Sequence, residues 1–406
     1  MSSTALRARA AILAFLGHNA TLGMIFGAFG TLLPAITATF HVSRGTTALA
    51  LSIYMLALGL TAPVAGLLVQ RVSLRAVMML GAAASSVAFG LMVWARDIQQ
   101  ILVLFGLAGI GTGLLGIVAP TTLVSRWFVA SRGRILGFVT APVFMLAAPL
   151  VVAYLLPAYG LRSAFLTIAI VYLILTPLMF FVIDKPAEAF ATAASDPRAL
   201  PKARTSALGG MQFWLFTLGI MLVGGAGTGF LVHAVSFFVD KGLSLTLAAS
   251  VYSVYALAGL AGTIMFGWIA DRIGPVTTLL FNVAFQAAVW SLLAWVMSVN
   301  GLVVLAALIG ACLAATNALH GAGLAAQFGV ENVARLMGIS SLLKIPTFFL
   351  TAPLVGYIRD VSGSYQMAYA LLVAMLLMSA LCFFAVTRIA KAGLPHADAT
   401  PVPTVG

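Results

Sequence analysis

The fold this sequence predicts is all-α and integral to a membrane: twelve transmembrane helices in two pseudo-symmetric six-helix bundles. Apolar runs of about 18 residues or more, the length a spanning helix needs, recur from Ala11 to Ala390. Mean hydropathy is +1.13. Only 7% of the 406 residues are charged, far too few for a soluble surface. The runs are continuous rather than alternating, which excludes a membrane β-barrel. The two halves also carry the same short motifs in the same order, the mark of an internal repeat.

The first run, 11–37, follows Arg7 and Arg9. Basic residues before an apolar stretch also mark a secretory signal, but this stretch is too long and no small-residue cleavage site stands out. It reads as span one. Spans two to six fall at 47–69, 76–95, 100–125, 134–157 and 162–183, joined by short connections. Pro186, Pro197 and Pro201, set among charges, then mark a solvated linker. Spans seven to twelve follow at 211–239, 246–270, 276–298, 301–327, 336–358 and 366–388. Pro395, Pro401 and Pro403 give the chain a disordered tail. The organisation expected is a bundle over 1–184, a cytoplasmic linker over 185–210, a bundle over 211–390 and a cytoplasmic tail over 391–406.

Basic residues set the orientation. With both termini on one side, that side holds 15 of the 21 lysines and arginines, and the other side holds five. Positive charge collects on the cytoplasmic side, so a multi-pass protein of the cell's inner membrane with both termini inside is expected. The net charge of +12 then follows from topology. Nucleic acid is not an expected partner, because the basic residues are dispersed over several inner segments. Cys312 and Cys382 lie inside apolar runs and imply neither a disulfide nor a metal site.

The remaining basic residue, Lys344, lies inside span eleven. It stands nine residues beyond Arg335, or roughly 13–14 Å along a helix. A charge at that depth costs several kcal/mol, and no Asp or Glu lies within any apolar segment to pair with it. An anionic substrate would offset that cost; the alternative is a lysine that snorkels to the interface.

The repeat is detailed. Gly66-Leu-Leu-Val-Gln70-Arg71 after span two matches Gly267-Trp-Ile-Ala-Asp271-Arg272 after span eight, 201 positions on. Arg134-Ile-Leu-Gly137 and Arg335-Leu-Met-Gly338 keep that offset. Thr140 to Val151 matches Lys344 to Val355 at an offset of 204, with seven of twelve residues identical, Pro142 with Pro346 and Pro149 with Pro353 among them. Thr140 stands where the second half has Lys344, so the fold does not require the charge. Parallel repeats in a polytopic chain point to a site near the midplane between the halves.

These motifs resemble the major facilitator superfamily over nearly the whole chain. Gly267 to Gly274 is similar to that family's loop between spans eight and nine, with Asp271 and Arg272 at its charged positions. Gln70 departs from the pattern, since the family usually has Asp there. Ser125-Arg126-Trp127-Phe128 with Arg132-Gly133-Arg134, and Pro353 to Tyr365, resemble the monocarboxylate and oxalate–formate transporter group. The resemblance implies a secondary active transporter moving a small organic anion, a monocarboxylate, by alternating access. The oxalate–formate group carries a substrate-binding lysine in span eleven at a place similar to Lys344. It often has a second cation in span eight, where this chain has none from Val251 to Ala270; a single cation suits a monocarboxylate.

Other polar residues within the spans are candidate substrate contacts: His18 and Asn19 in span one, Tyr54 in span two, Tyr252 and Tyr255 in span eight, Asn317 and His320 in span ten. Asn317 and His320, and likewise the two tyrosines, are three apart, so each pair is expected to share a helix face. His233 in span seven is a further buried polar group. Asp271 and Arg272 are the expected gate latch. Arg126 joins them, and Gly66 and Gly267 are expected to admit close helix approach. Protons, carried on a histidine or with the substrate, or a counter-anion would couple transport. No cofactor and no enzymatic activity are expected, since no nucleophile–base set or metal-ligand cluster appears. The chain is expected to act as a monomer. Rival readings are a multidrug or other small-molecule exporter of the same fold, and a non-transporting receptor or assembly subunit.

Overall fold

The computed structural model describes residues 3–128, 132–183, 210–329 and 332–392. The linker is outside the described residues apart from Gly210, and the tail beyond its first two residues. Among the described residues all regular structure is helical. Among the described residues, eleven helical segments are long and apolar enough to cross a membrane, and one of them, Ile135–Met179, runs over 45 residues. It contains two spans, because Gly160 adopts φ 75° and ψ −179° and breaks the helix there. Twelve spans result. Several begin on a side chain that caps the first free backbone N–H groups: Ser43, Ser73, Asp97, Ser244 and Ser298 each accept such a bond.

The buried apolar side chains form two clusters. One is drawn from Ala10 to Val182 together with Val232 and Ala352, the other from Phe213 to Val386. Close helix contacts repeat between the bundles. Gly109 in span four lies against the carbonyl of Tyr54 in span two, and Gly310 in span ten against that of Tyr255 in span eight. Gly23 backs onto Phe144, and Gly224 onto Phe348. A side chain at any of these glycines would push the helices apart. The equivalence is not complete. Thr140 ends a short helix, with a break before Val143, whereas Lys344-Ile-Pro346 lies within the continuous helix Val333–Ser362.

The bundles meet from mid-membrane to the face opposite the termini. Tyr252 donates to the carbonyl of Phe26 at 3.1 Å. Ser52 donates to the carbonyl of Phe349, and Ser253 to that of Leu146, both at 2.8 Å. Pro353 has no N–H, so the Phe349 carbonyl four residues earlier lacks its helical donor; Ser52 supplies one from the other bundle. Toward the termini no described hydrogen bond crosses between bundles. A methyl group added at Gly59, Gly66, Gly137, Gly267 or Gly338 would meet nothing within 4 Å. The close approach expected at Gly66 and Gly267 is therefore not made here, because the cleft is open on the termini side.

Candidate functional site

Ser340, Lys344 and Phe348 recur every four residues and form one stripe along span eleven. Lys344 is half-buried. Its ammonium makes no hydrogen bond or ion pair with any described residue and stands 5.9 Å from the centroid of the Phe348 ring. Phe348 is held against Gly224 of span seven. Across from the stripe, His320 is buried, with Nε2 3.0 Å from the Ser340 hydroxyl. Its Nδ1 is buried without a partner among the described residues. Asn317 does not share this surrounding: it is exposed while His320 is 1% exposed, so three-residue spacing did not give the pair a common environment.

The other candidates are committed elsewhere. Span one contains a π-helical stretch, Asn19–Met24, which leaves backbone groups off the regular ladder. Tyr172 donates to the Ala20 carbonyl at 2.6 Å and Tyr54 to that of Thr21 at 2.8 Å. Asn19 donates to the Val139 carbonyl and accepts from the Phe144 N–H, bridging the break within span five. His18 Nδ1 lies 3.1 Å from the Gly116 carbonyl. Tyr252 belongs to the bundle contact, and Tyr255 stacks on it with centroids 5.1 Å apart. No hydrogen bond, ion pair or ring contact joins these residues to Lys344. A separate cleft of about 210 Å³, bordered by Met24, Phe144, Val151 and Thr167, carries no charged group.

On the open face, Asp271 is exposed and unpaired among the described residues, while Arg272 stacks on Trp268 at 3.4 Å. Arg126 is half-buried beside Trp127, whose indole N–H donates to the Ile183 carbonyl. The charged contacts that do form lie on the closed face. Asp240, ending span seven, takes Arg359 Nε at 2.9 Å and the two terminal nitrogens of Arg44 at 3.3 and 3.4 Å. Asp360 accepts from the backbone N–H groups of Arg44 and Gly45 at 2.7 and 3.3 Å, so span eleven caps the start of span two. Gly356 lies against Gly45 there, where a side chain would block the approach. Arg44 also donates to the Tyr365 hydroxyl at 3.1 Å. Burial pushes the Tyr365 phenol up to about 12, with Arg44 pulling the other way, so it remains an O–H donor at ordinary pH. Arg44 and Arg359 are two of the five basic residues that the charge count puts on the side opposite the termini. The available signal was the Pro353–Tyr365 motif, which holds Gly356, Arg359, Asp360 and Tyr365.

The family model described as Major Facilitator Superfamily matches residues 16–300. Monocarboxylate transporter 11 of Homo sapiens is 28% identical over 391 residues, 90% of this chain and 80% of that protein. The gallate transporter of Pseudomonas putida is 24% identical over 356 residues, 78% of this chain and 79% of that protein. The oxalate:formate antiporter of Oxalobacter formigenes is 24% identical over 237 residues, 57% of this chain and 55% of that protein. Among solved structures, a bacterial homologue of the lysosomal transporter Spinster, inward-facing and occupied, superposes with a TM-score of 0.75 at 14% identity, covering 97% of this chain and 99% of that one. At that identity the likeness is one of fold.

Proposed function

The chain belongs to the Major Facilitator Superfamily, and we propose that it is a secondary active transporter that carries a small monocarboxylate bound to Lys344. The observation that carries this reading is the half-buried ammonium of Lys344, without a polar partner among the described residues and deep in a span. A carboxylate about 4 Å away would gain roughly 4 kcal/mol in a setting of intermediate dielectric, and the anion would offset the burial cost of the lysine. The Phe348 ring lies beside the ammonium, and His320 is bonded to Ser340 on the same stripe. Three relatives whose names specify carboxylates support the same substrate class.

Transport proceeds by alternating access. The present state binds from the termini side, and the Arg44–Asp240–Arg359 cluster closes the other. For the reverse state, Asp271 and Arg272 latch the termini side. The termini and linker face the cytoplasm, which reporter fusions at Ala194 and Thr400 check: an external location for either overturns that orientation. The carboxylate reading is tested by a thermal-shift screen of the purified protein against small monocarboxylates. A ligand-dependent rise in Tm is expected for wild type and not for Lys344→Thr. Equal shifts in both contradict the assignment.

A further inference from the structure

The closed-face cluster continues inward to His233, which the carboxylate reading does not use. His233 is 0% exposed in span seven. Its Nδ1 is 3.0 Å from the Tyr365 hydroxyl and its Nε2 is 2.9 Å from the Ala352 carbonyl in span eleven. A carbonyl can only accept, so Nε2 carries the ring hydrogen. Nδ1 must then accept, and the Tyr365 O–H donates to it. The Tyr365 oxygen is left to accept from Arg44 Nη1. From Arg44 through Tyr365 and His233 to the span-eleven backbone, each donor has one acceptor, and that order exists only while His233 is neutral.

A proton on His233 reverses one link. Nδ1 becomes a donor, the Tyr365 hydroxyl faces two cationic donors, and its own hydrogen must turn away from His233. No acid touches the imidazole among the described residues. A charge on this fully buried ring is costly in itself, and Arg44 of span two adds repulsion across the shared Tyr365 hydroxyl; span eleven offers the Ala352 carbonyl, and Tyr365 lies ahead of span twelve. Asp240 and Arg359 stand one link away, on Arg44 and over the Tyr365 ring. A second positive charge in this row is repelled by Arg44 as long as the gate is shut.

We propose that His233 is the proton-binding site of this gate, and that a proton taken up there releases Arg44 from Tyr365 and Asp240 and opens the face opposite the termini. The open form, with Arg44 withdrawn, binds the proton better, and the proton favours the open form by the same factor. This rests on the alternating-access reading and not on the identity of the cargo.

The test needs no substrate. Spin labels at Thr39→Cys and Thr246→Cys, one in each bundle at exposed positions on the closed face, report the gap between bundles in the full chain in lipid nanodiscs. From about pH 8 to about pH 5, a range that histidine titration spans, wild type should pass from a short to a long distance. One titrating group can change the open-to-closed ratio by at most about tenfold per pH unit. His233→Gln can donate to Ala352 and accept from Tyr365 but takes up no proton; it should remain closed and insensitive to pH. Tyr365→Phe, which cuts the link to Arg44, should also lose the pH response. Lys344→Thr should keep the full response, so failure of the carboxylate reading and failure of the gate are read separately. A wild-type distance that ignores pH, or a His233→Gln response equal to wild type, overturns the proposal.

Discussion

Spans two and eleven meet along one seam and spans five and eight along another, and the repeat makes the two seams equivalent. Their chemistry is not. Each has a serine hydroxyl bonded to a carbonyl of the other bundle, Ser52 to Phe349 and Ser253 to Leu146. Among the described residues, only the first seam adds charge. Its Arg44, Arg359 and Asp360 correspond to Leu245, Leu155 and Leu156 in the second. The shared hydroxyl bonds keep the bundles in register. The ionic groups single out one seam as a latch, because an ion pair across a part-exposed boundary forms and breaks with water as its alternative partner, while apolar contacts are non-directional. Within the latch, Arg359 holds Asp240 at 2.9 Å inside its own bundle, and Arg44 reaches it at 3.3 Å from the other. Opening therefore breaks the Arg44 link and keeps the Arg359 link.

The largest effect on this comparison should come from Asp240→Asn. It leaves Arg44 and Arg359 side by side without their shared carboxylate. Loss of a hydrogen bond to a charged group costs about 1.5 kcal/mol at a part-exposed site, so the closed-to-open ratio should fall roughly tenfold, as read by spin-label distances across the first seam. An unchanged distribution would mean that the ion pairs decorate the seam without closing it.

Next in size is a difference between the two serines. Ser52→Ala strands a carbonyl that Pro353 already deprives of its helical donor. It should weaken closure by about 1 kcal/mol. Ser253→Ala should do less, since the Leu146 carbonyl has an ordinary helical donor at Leu150 and Ser253 also bonds to its own helix at Ala249. Equal effects on the distance distribution would remove the role given to Pro353. The repeat-related tyrosines should differ too. Tyr54→Phe uncaps the Thr21 carbonyl in the π-helical stretch and should lower Tm by the loss of about 1 kcal/mol, whereas Tyr255→Phe, whose hydroxyl has no described partner, should leave Tm nearly unchanged.

Asp271→Asn should have the smallest effect on these distances, because Asp271 is unpaired in the present state. Ligand affinity from the termini side should stay at the wild-type value while turnover slows. Lost affinity with normal turnover per bound substrate would remove Asp271 from the gate.

Much of this architecture was legible in the sequence. Hydrophobic run length gave the spans, and the matched prolines gave the repeat. The kink at Gly160 fell between two runs that had been separated correctly. Lys344 was legible because a charge in hydrocarbon needs a reason. The surroundings of the other polar residues were not. Asn19, Tyr54 and Tyr172 serve a π-helical stretch, which has no signature in residue spacing, and three-residue spacing did not reveal that Asn317 and His320 part ways in burial. The closed-face latch was hidden for another reason. Its members are 196 and 119 residues apart, and each alone looks like an ordinary charge at a span end.

The most direct test of the carboxylate account is uptake into proteoliposomes of a radiolabelled monocarboxylate, chosen from the thermal-shift screen, by wild type and Lys344→Thr at equal reconstitution. The account predicts saturable uptake by wild type, and background uptake by a folded, monodisperse Lys344→Thr. Equal uptake by the two proteins would contradict it.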